Sequence, residues 1–232
     1  MTTLKRCLTK GVFMFMALTW STLGLASSAG PTMTADEALQ SLLEGNQRYV
    51  ENQMTGTKLC DLSARSGLAK SQKPYAIILS CSDSRVPPEI IFDKGLGEIF
   101  VARVAGNVAD PVVLGSIEYA AEHLGSPLIM VLGHERCGAV TAAVGAKGKP
   151  EGNIGAILRL IQPAVKQAKK EAAGKAKEEL VETAIDDNVK LVAANLTKQS
   201  KILKEMAEAG KVKIVGAKYD LDDGKVSVMN LK

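Results

Sequence analysis

The sequence has no Cys-x-x-Cys pair anywhere along its 232 residues, which argues against a thiol oxidoreductase. It has no internal repeat and no linker long enough to separate the chain into independent domains. No apolar run reaches the ~20 residues that a membrane span needs. A basic footprint for nucleic acid is missing too. The formal net charge is +4, but Lys5, Arg6 and Lys10 fall in the first ten residues and no acid precedes Asp36. Without those three cations the body is near neutral, at +1. Hydrophobic residues make up 46% and charged ones 23%, the balance of a globular protein rather than a disordered one.

What is present begins with a leader. The basic start is followed by an apolar stretch from Val12 to Leu18, a mixed stretch to Leu25, and the small residues Ala26, Ser27, Ser28 and Ala29. This reads as a signal peptide over residues 1–29, cleaved after Ala29 or Ala26, with an uncleaved membrane anchor as the competing reading. Cleavage leaves residues 30–232 as a single exported domain, periplasmic or secreted, with no membrane attachment. Cys7 is lost with the leader, so Cys60, Cys81 and Cys137 remain. An odd number does not make a disulfide framework, and idle thiols pair in an oxidising compartment. Metal ligation is one way to protect two of them.

Thr34-Ala35-Asp36-Glu37 is a capping box that opens an amphipathic helix running to about Tyr49. A polar connector, helical or irregular, spans Cys60 to Ser71. Tyr75–Ser80, Ile99–Ala102 and Leu128–Leu132 are short apolar runs without alternation, the pattern of strands buried on both faces. Between the last two, Pro111 to Leu124 reads as a helix with proline in its first turn. Strand, helix, strand at this spacing marks an α/β fold with a mostly parallel sheet. Residues 154–209 read as mostly helical. Within them 164–184 resembles a solvated, charged surface, and Asn188 to Met206 a single amphipathic helix. Lys211 to Ala217 is a late strand, and Asp222-Asp223-Gly224 turns the chain into a hairpin with Lys225 to Met229.

Two segments carry chemistry. Cys81-Ser82-Asp83-Ser84-Arg85 follows directly on the first apolar strand, and Gly133-His134-Glu135-Arg136-Cys137-Gly138 follows on a later one. Both therefore sit at carboxyl ends of parallel strands, where open α/β sheets place ligand sites. Two thiolates and one imidazole suit zinc and leave its fourth tetrahedral position open, as a catalytic site requires. Singly, each piece has a plainer reading: Cys81 and Cys137 as core residues, Asp83 and Arg85 as a turn ion pair.

Taken together, Cys-Ser-Asp-Ser-Arg and Gly-His-x-x-Cys-Gly resemble the β-class carbonic anhydrases, in their plant-like branch. The resemblance extends to Glu44–Tyr49, Ala105-Gly106-Asn107, Ile117–Ala120 and Ile214–Asp220, and covers about residues 36–229. It implies one zinc ion per chain, held by Cys81, His134 and Cys137. It implies reversible hydration of carbon dioxide to bicarbonate by a zinc-activated water. Asp83 matches a carboxylate that either pairs with Arg85 or turns in as a fourth ligand. Gln72 matches a glutamine that hydrogen-bonds substrate, Phe100 and Tyr119 match lining of the substrate cavity, and Gly138 allows close backbone approach beside the metal. His123 falls where some members have a proton-shuttle candidate, although an exposed helix-end histidine is the plainer reading. Ala139 departs from the second glycine that many members carry. The resemblance also implies a homo-oligomer, at least a dimer, with Gln72, Phe100 or Tyr119 serving the neighbour's pocket. The competing functions are hydrolysis of another small electrophile, such as carbon disulfide, and a zinc-binding module without catalysis.

Overall fold

A computed structural model of the chain describes residues 33–56, 60–148, 150 and 152–231. The leader and its cleavage point lie outside those residues. Among the described residues no helix is long and apolar enough to cross a membrane.

Five strands form one sheet in the order β2-β1-β3-β4-β5. They are β1 (Ala76–Ser80), β2 (Ile99–Arg103), β3 (Leu128–His134), β4 (Lys213–Tyr219) and β5 (Val226–Met229). The first four are parallel to their neighbours, and β5 returns antiparallel to β4 as the expected hairpin. Both faces of β1 and β3 are apolar because both are covered. Ile78, Met130 and Leu132 pack on one face with Ala38 and Leu42 of α1 (Ala35–Val50). Ile77, Leu79, Ile129 and Val131 pack on the other. There they meet α4 (Pro111–Glu122), α7 (Lys177–Gln199) and α8 (Lys201–Glu208) through Ile117, Leu196 and Leu203. Helix α1 starts where the capping box places it: Thr34 Oγ1 accepts from the Glu37 N–H, and the Glu37 carboxylate accepts from the Thr34 N–H.

The short helices α2 (Leu62–Leu68) and α3 (Pro88–Ile91) lie in connections. Helices α5 (Gly138–Gly145) and α6 (Ile154–Glu171) join α7 around a third apolar cluster that contains Cys81 and Cys137.

Three expectations are corrected. Strand β2 is not buried on both faces; it is the sheet edge, and its residues are half-buried or exposed. Residues 164–184 are not simply a solvated surface, since Ala164, Val165, Ala168, Val181 and Ala184 are buried between α6 and α7. Alanine exposes little apolar area when read along a sequence, yet it lets two helices approach closely. The stretch 188–206 is two helices, because the Ser200 hydroxyl caps a new one by accepting from the Leu203 N–H at 3.1 Å.

Candidate metal centre

Strand β1 ends at Ser80 and delivers Cys81, while β3 ends on His134, four residues before α5. The shared register of β1 and β3 (Ser80 opposite Leu132) brings these ends together. The ligand atoms of Cys81, His134 and Cys137 lie within 4.8 Å of one another, and all three residues are buried.

The geometry suits a tetrahedral ion. The two sulfurs stand 4.0 Å apart. Two Zn–S bonds of ~2.3 Å at a tetrahedral angle would separate them by ~3.8 Å. His134 Nδ1 lies 2.8 Å from the Glu135 carbonyl, which can only accept, so Nδ1 carries the hydrogen. That leaves Nε2 as a bare lone pair, buried and without a hydrogen-bond partner. A buried nitrogen with no partner is costly, and a cation shared with two thiolates would satisfy it. The residues present therefore fit zinc.

Thiolate formation is prepared on the Cys81 side. Its thiol is pulled down to about 4, first by the Cys137 thiol donating to it, against the opposing effect of burial. The Gly106 N–H also donates to this sulfur at 3.3 Å. In the metal-free pair Cys137 moves upward, because Cys81 takes the negative charge first and burial disfavours a second.

Asp83 sits beside the cluster in a defined pose. The Arg85 guanidinium holds both carboxylate oxygens, Nε to Oδ1 at 3.0 Å and Nη2 to Oδ2 at 2.8 Å, and the Arg85 N–H adds a third bond at 3.0 Å. This bidentate partner keeps the carboxyl ionised, well below the usual carboxylate range. Asp83 Oδ2 is 3.9 Å from His134 Nε2, so the same carboxylate borders the metal position.

Of the other expected site residues, Gly138 lies beside the thiols and the rest lie elsewhere. Gly138 opens α5 next to Cys137, exposed, and a Cβ there would meet nothing within 4 Å. Helix α4 starts beyond the carboxyl end of β2 and carries the chain back to the start of β3. Tyr119 and His123 at its end therefore lie toward the amino ends of the strands, opposite His134. β3 alone spans six residue steps at ~3.3 Å each, or ~20 Å. Both side chains are exposed, with ring centres 5.4 Å apart. Gln72 is exposed two residues before Pro74, whose carbonyl accepts from Ser126 Oγ just ahead of β3. It too belongs to the amino ends of the strands. Phe100 is half-buried on edge strand β2, level with Ile77. Within one chain these four do not gather around the thiols, so any role they have at a metal centre needs a second copy.

Four supporting residues were not foreseen. Arg103 grips the Cys81–Asp83 turn, donating to the Cys81 carbonyl at 2.9 Å and to the Asp83 carbonyl at 2.6 Å. Gly106 aims its N–H at Cys81 from a left-handed backbone (φ +71), and a Cβ there would come within 2.7 Å of Ile161. Asn188, buried on α7, holds the Gly106 carbonyl at 2.8 Å. Glu182, one turn and a half earlier on α7, accepts the Arg136 N–H at 2.8 Å. One signal was available in the sequence: Asn188 is a polar residue inside the apolar stripe Ile185, Val189, Val192.

Comparison with known proteins bears on this centre directly. Residues 76–226 match the family model described as carbonic anhydrase. The chain belongs to the β-class carbonic anhydrase family. It is an enzyme of that family. It is 39% identical over 198 residues to carbonic anhydrase 2 of Mycobacterium tuberculosis, covering 84% of this chain and 93% of that one. A carbonic anhydrase of Pseudomonas aeruginosa is 32% identical over 182 residues, with 72% and 80% covered. Among solved structures, a Coccomyxa β-carbonic anhydrase superimposes with a TM-score of 0.69 at 27% identity, covering 82% of this chain and 86% of that one. A β-carbonic anhydrase of Aspergillus fumigatus gives 0.68 at 28% identity, with 84% and 91% covered. The family model spans both motif segments, so the resemblance read from them holds across the sheet that positions them.

Proposed function

We propose that the chain hydrates carbon dioxide reversibly to bicarbonate and a proton, using one zinc ion held by Cys81, His134 and Cys137. The observation that carries this reading is the convergence of two buried thiols with a buried imidazole nitrogen that has no other partner. Bound there, zinc would supply an electrophilic centre and a water acidified to a pKa of ~7. The rest falls to the chain. The Gly106 N–H favours the thiolate form of Cys81, and the carbonyl of Glu135 fixes the tautomer and orientation of His134. Asp83, turned toward Arg85, leaves the fourth position clear and offers an acceptor beside it. The apolar cluster around Cys81 and Cys137 keeps the floor of the site dry for an apolar substrate. Retention of Asp83 and Arg85 in a bidentate pair argues against a purely structural metal site, which needs neither.

A complete pocket is proposed to form between two copies. Val112 and Tyr119 on α4 are exposed large side chains, at 77% and 48%, and edge strand β2 is only half covered. A partner on this face would bring Gln72, Phe100 and Tyr119 to a metal that their own chain cannot reach with them. His123 could then pass protons at the partner's site. Export to the periplasm or beyond is proposed from the leader alone, and mass spectrometry of the mature chain should find it starting near Gly30.

The deciding experiment is stopped-flow hydration of carbon dioxide, run with the purified protein before and after zinc removal by a chelator. Activity that vanishes with the metal and returns with one zinc per chain is the expected result. Full activity in the metal-free protein would overturn the reading.

A further inference from the structure

The loop from His134 to Cys137 has a demanding shape. Strand β3 fixes His134, and the Glu135 N–H still pairs with the Tyr219 carbonyl of β4 at 3.1 Å. The chain must then reverse so that Cys137 turns back toward Cys81. The reversal falls on Arg136, whose φ is +51, a conformation that non-glycine residues rarely adopt. Glycine or asparagine would be the ordinary occupant. An arginine held there implies that its surroundings compensate.

They do so from three sides. Glu182 of α7 accepts the Arg136 N–H at 2.8 Å. The Arg136 guanidinium forms a fork with Asp222, in the turn between β4 and β5, both bonds at 2.9 Å. Lys218 on β4 lies 3.4 Å from the second oxygen of Glu182 and 2.9 Å from Asp186, and so anchors Glu182 to the sheet. None of these groups reaches the metal position. They lie behind the loop, along a cavity of about 470 Å³ lined by Glu135, Arg136, Glu182 and Asp222 among others.

We propose that Glu182 and the Arg136–Asp222 pair form an ionic latch that holds the His134–Cys137 loop in its metal-binding shape, and that this latch governs how readily zinc leaves the chain. The proposal rests on the zinc reading given above. Glu182, Arg136 and Asp222 are positioning residues. Glu182 stabilises the reversed backbone itself with a charge-assisted bond, while Asp222 acts only through the exposed guanidinium. Loss of Glu182 should therefore matter more. With the N–H released, the loop can relax to an ordinary φ and swing the Cys137 sulfur away from Cys81.

The test uses the zinc-loaded protein and a chromogenic chelator, reading the rate at which zinc is transferred. The urea stability of each metal-free variant is measured in parallel. Glu182→Ala, which removes the acceptor where glutamine would keep an amide oxygen, is expected to release zinc ~10-fold faster than the wild type. Asp222→Asn and Arg136→Gln should each release it ~3-fold faster, and the double variant no faster than either single one. Glycine fits the left-handed position without support, so adding Glu182→Ala to Arg136→Gly should not quicken release further, a comparison that stays open even where Glu182→Ala alone folds poorly. Salt at 1 M should accelerate release from the wild type to the rate of Asp222→Asn and leave that variant unchanged. Lys213→Gln, which removes the Lys213–Asp36 pair at the far end of β4, is the control and should release zinc at the wild-type rate. The latch is overturned if Glu182→Ala and Asp222→Asn release zinc at the wild-type rate. It is equally overturned if release quickens only as far as the metal-free variant loses stability. A wild-type protein that takes up no zinc is a separate result, read before any variant is made, and it overturns the zinc assignment beneath.

Discussion

Replacing Arg85 with alanine should leave zinc in place and remove most of the hydration activity. The substitution deletes two of the three bonds that hold Asp83, those from Nε and Nη2, and keeps the one from the backbone N–H. The arginine is half exposed, at 53%, so solvent screens the pair, and what remains of its worth lies in the fork geometry. Losing the fork tips the balance from a paired toward a metal-facing carboxylate. The carboxylate has little distance to cover, since Oδ2 is already 3.9 Å from His134 Nε2. With no arginine to hold it, the nearest cation is the metal. The expected outcome is a kcat/KM lowered by ~10-fold or more, with zinc still at one per chain. Arg85→Lys, which cannot form the fork, should fall between the two. Cobalt substitution gives a direct readout, because a fourth protein ligand changes the visible absorption of the metal. Wild-type activity in Arg85→Ala, with the cobalt spectrum unchanged, would reduce the pair to a turn clamp.

Cys81→Ser, His134→Ala and Cys137→Ser should each strip zinc, measured by elemental analysis; full metal content in any of them removes that residue from the ligand set. Asn188→Ala leaves the buried Gly106 carbonyl without its donor and should cost about 1–3 kcal/mol in urea unfolding. Asp187, buried on α7, has one carboxylate oxygen without a partner and a pKa raised to about 6. Burial is the main cause, Glu171 and Asp186 add to it, and Lys190 opposes it. The folded state therefore holds this proton more tightly than the unfolded chain, and stability is lost as pH rises from about 4 through 6. Asp187→Asn should stabilise the protein by ~1–2 kcal/mol at pH 7.5 and by almost nothing at pH 4, where wild type and variant unfold alike.

The parallel sheet was legible because both faces of β1 and β3 are covered, so their sequences carry apolar residues without alternation. The metal trio was legible because its chemistry begins where those runs end. What stayed hidden are partners rather than elements. Glu182 reads as one more charge on a charged helix, and only the fold brings it to a backbone N–H 46 residues away. Asn188 reaches Gly106 across 82 residues. Periodicity reports that a position is buried, not what it touches. The edge status of β2 was hidden for the same reason: an apolar run looks alike whether a helix or a second molecule covers it.

That last ambiguity can be resolved by mixing subunits. Within one chain, Gln72 lies at the amino ends of the strands, opposite the thiols. If it serves a pocket, the pocket belongs to a neighbour. Consider Cys137→Ser, which lacks a ligand, and Gln72→Ala, which lacks the substrate contact; each homodimer is impaired at both sites. In a mixed dimer the metal of the Gln72→Ala chain meets the intact Gln72 of its partner, and one whole site is restored. The other site carries both defects. A mixed dimer should then show about half of the wild-type activity, and an equal random mixture about a quarter. If Gln72 acted in its own chain, every site in the mixed dimer would keep one defect, and mixing would recover nothing beyond the average of the two homodimers. Ion-exchange chromatography resolves the mixed dimer from both homodimers by a charge tag on one parent, and light scattering confirms its mass. Failure to recover activity in a purified mixed dimer would place Gln72 outside the partner's pocket and remove the main reason for a shared site.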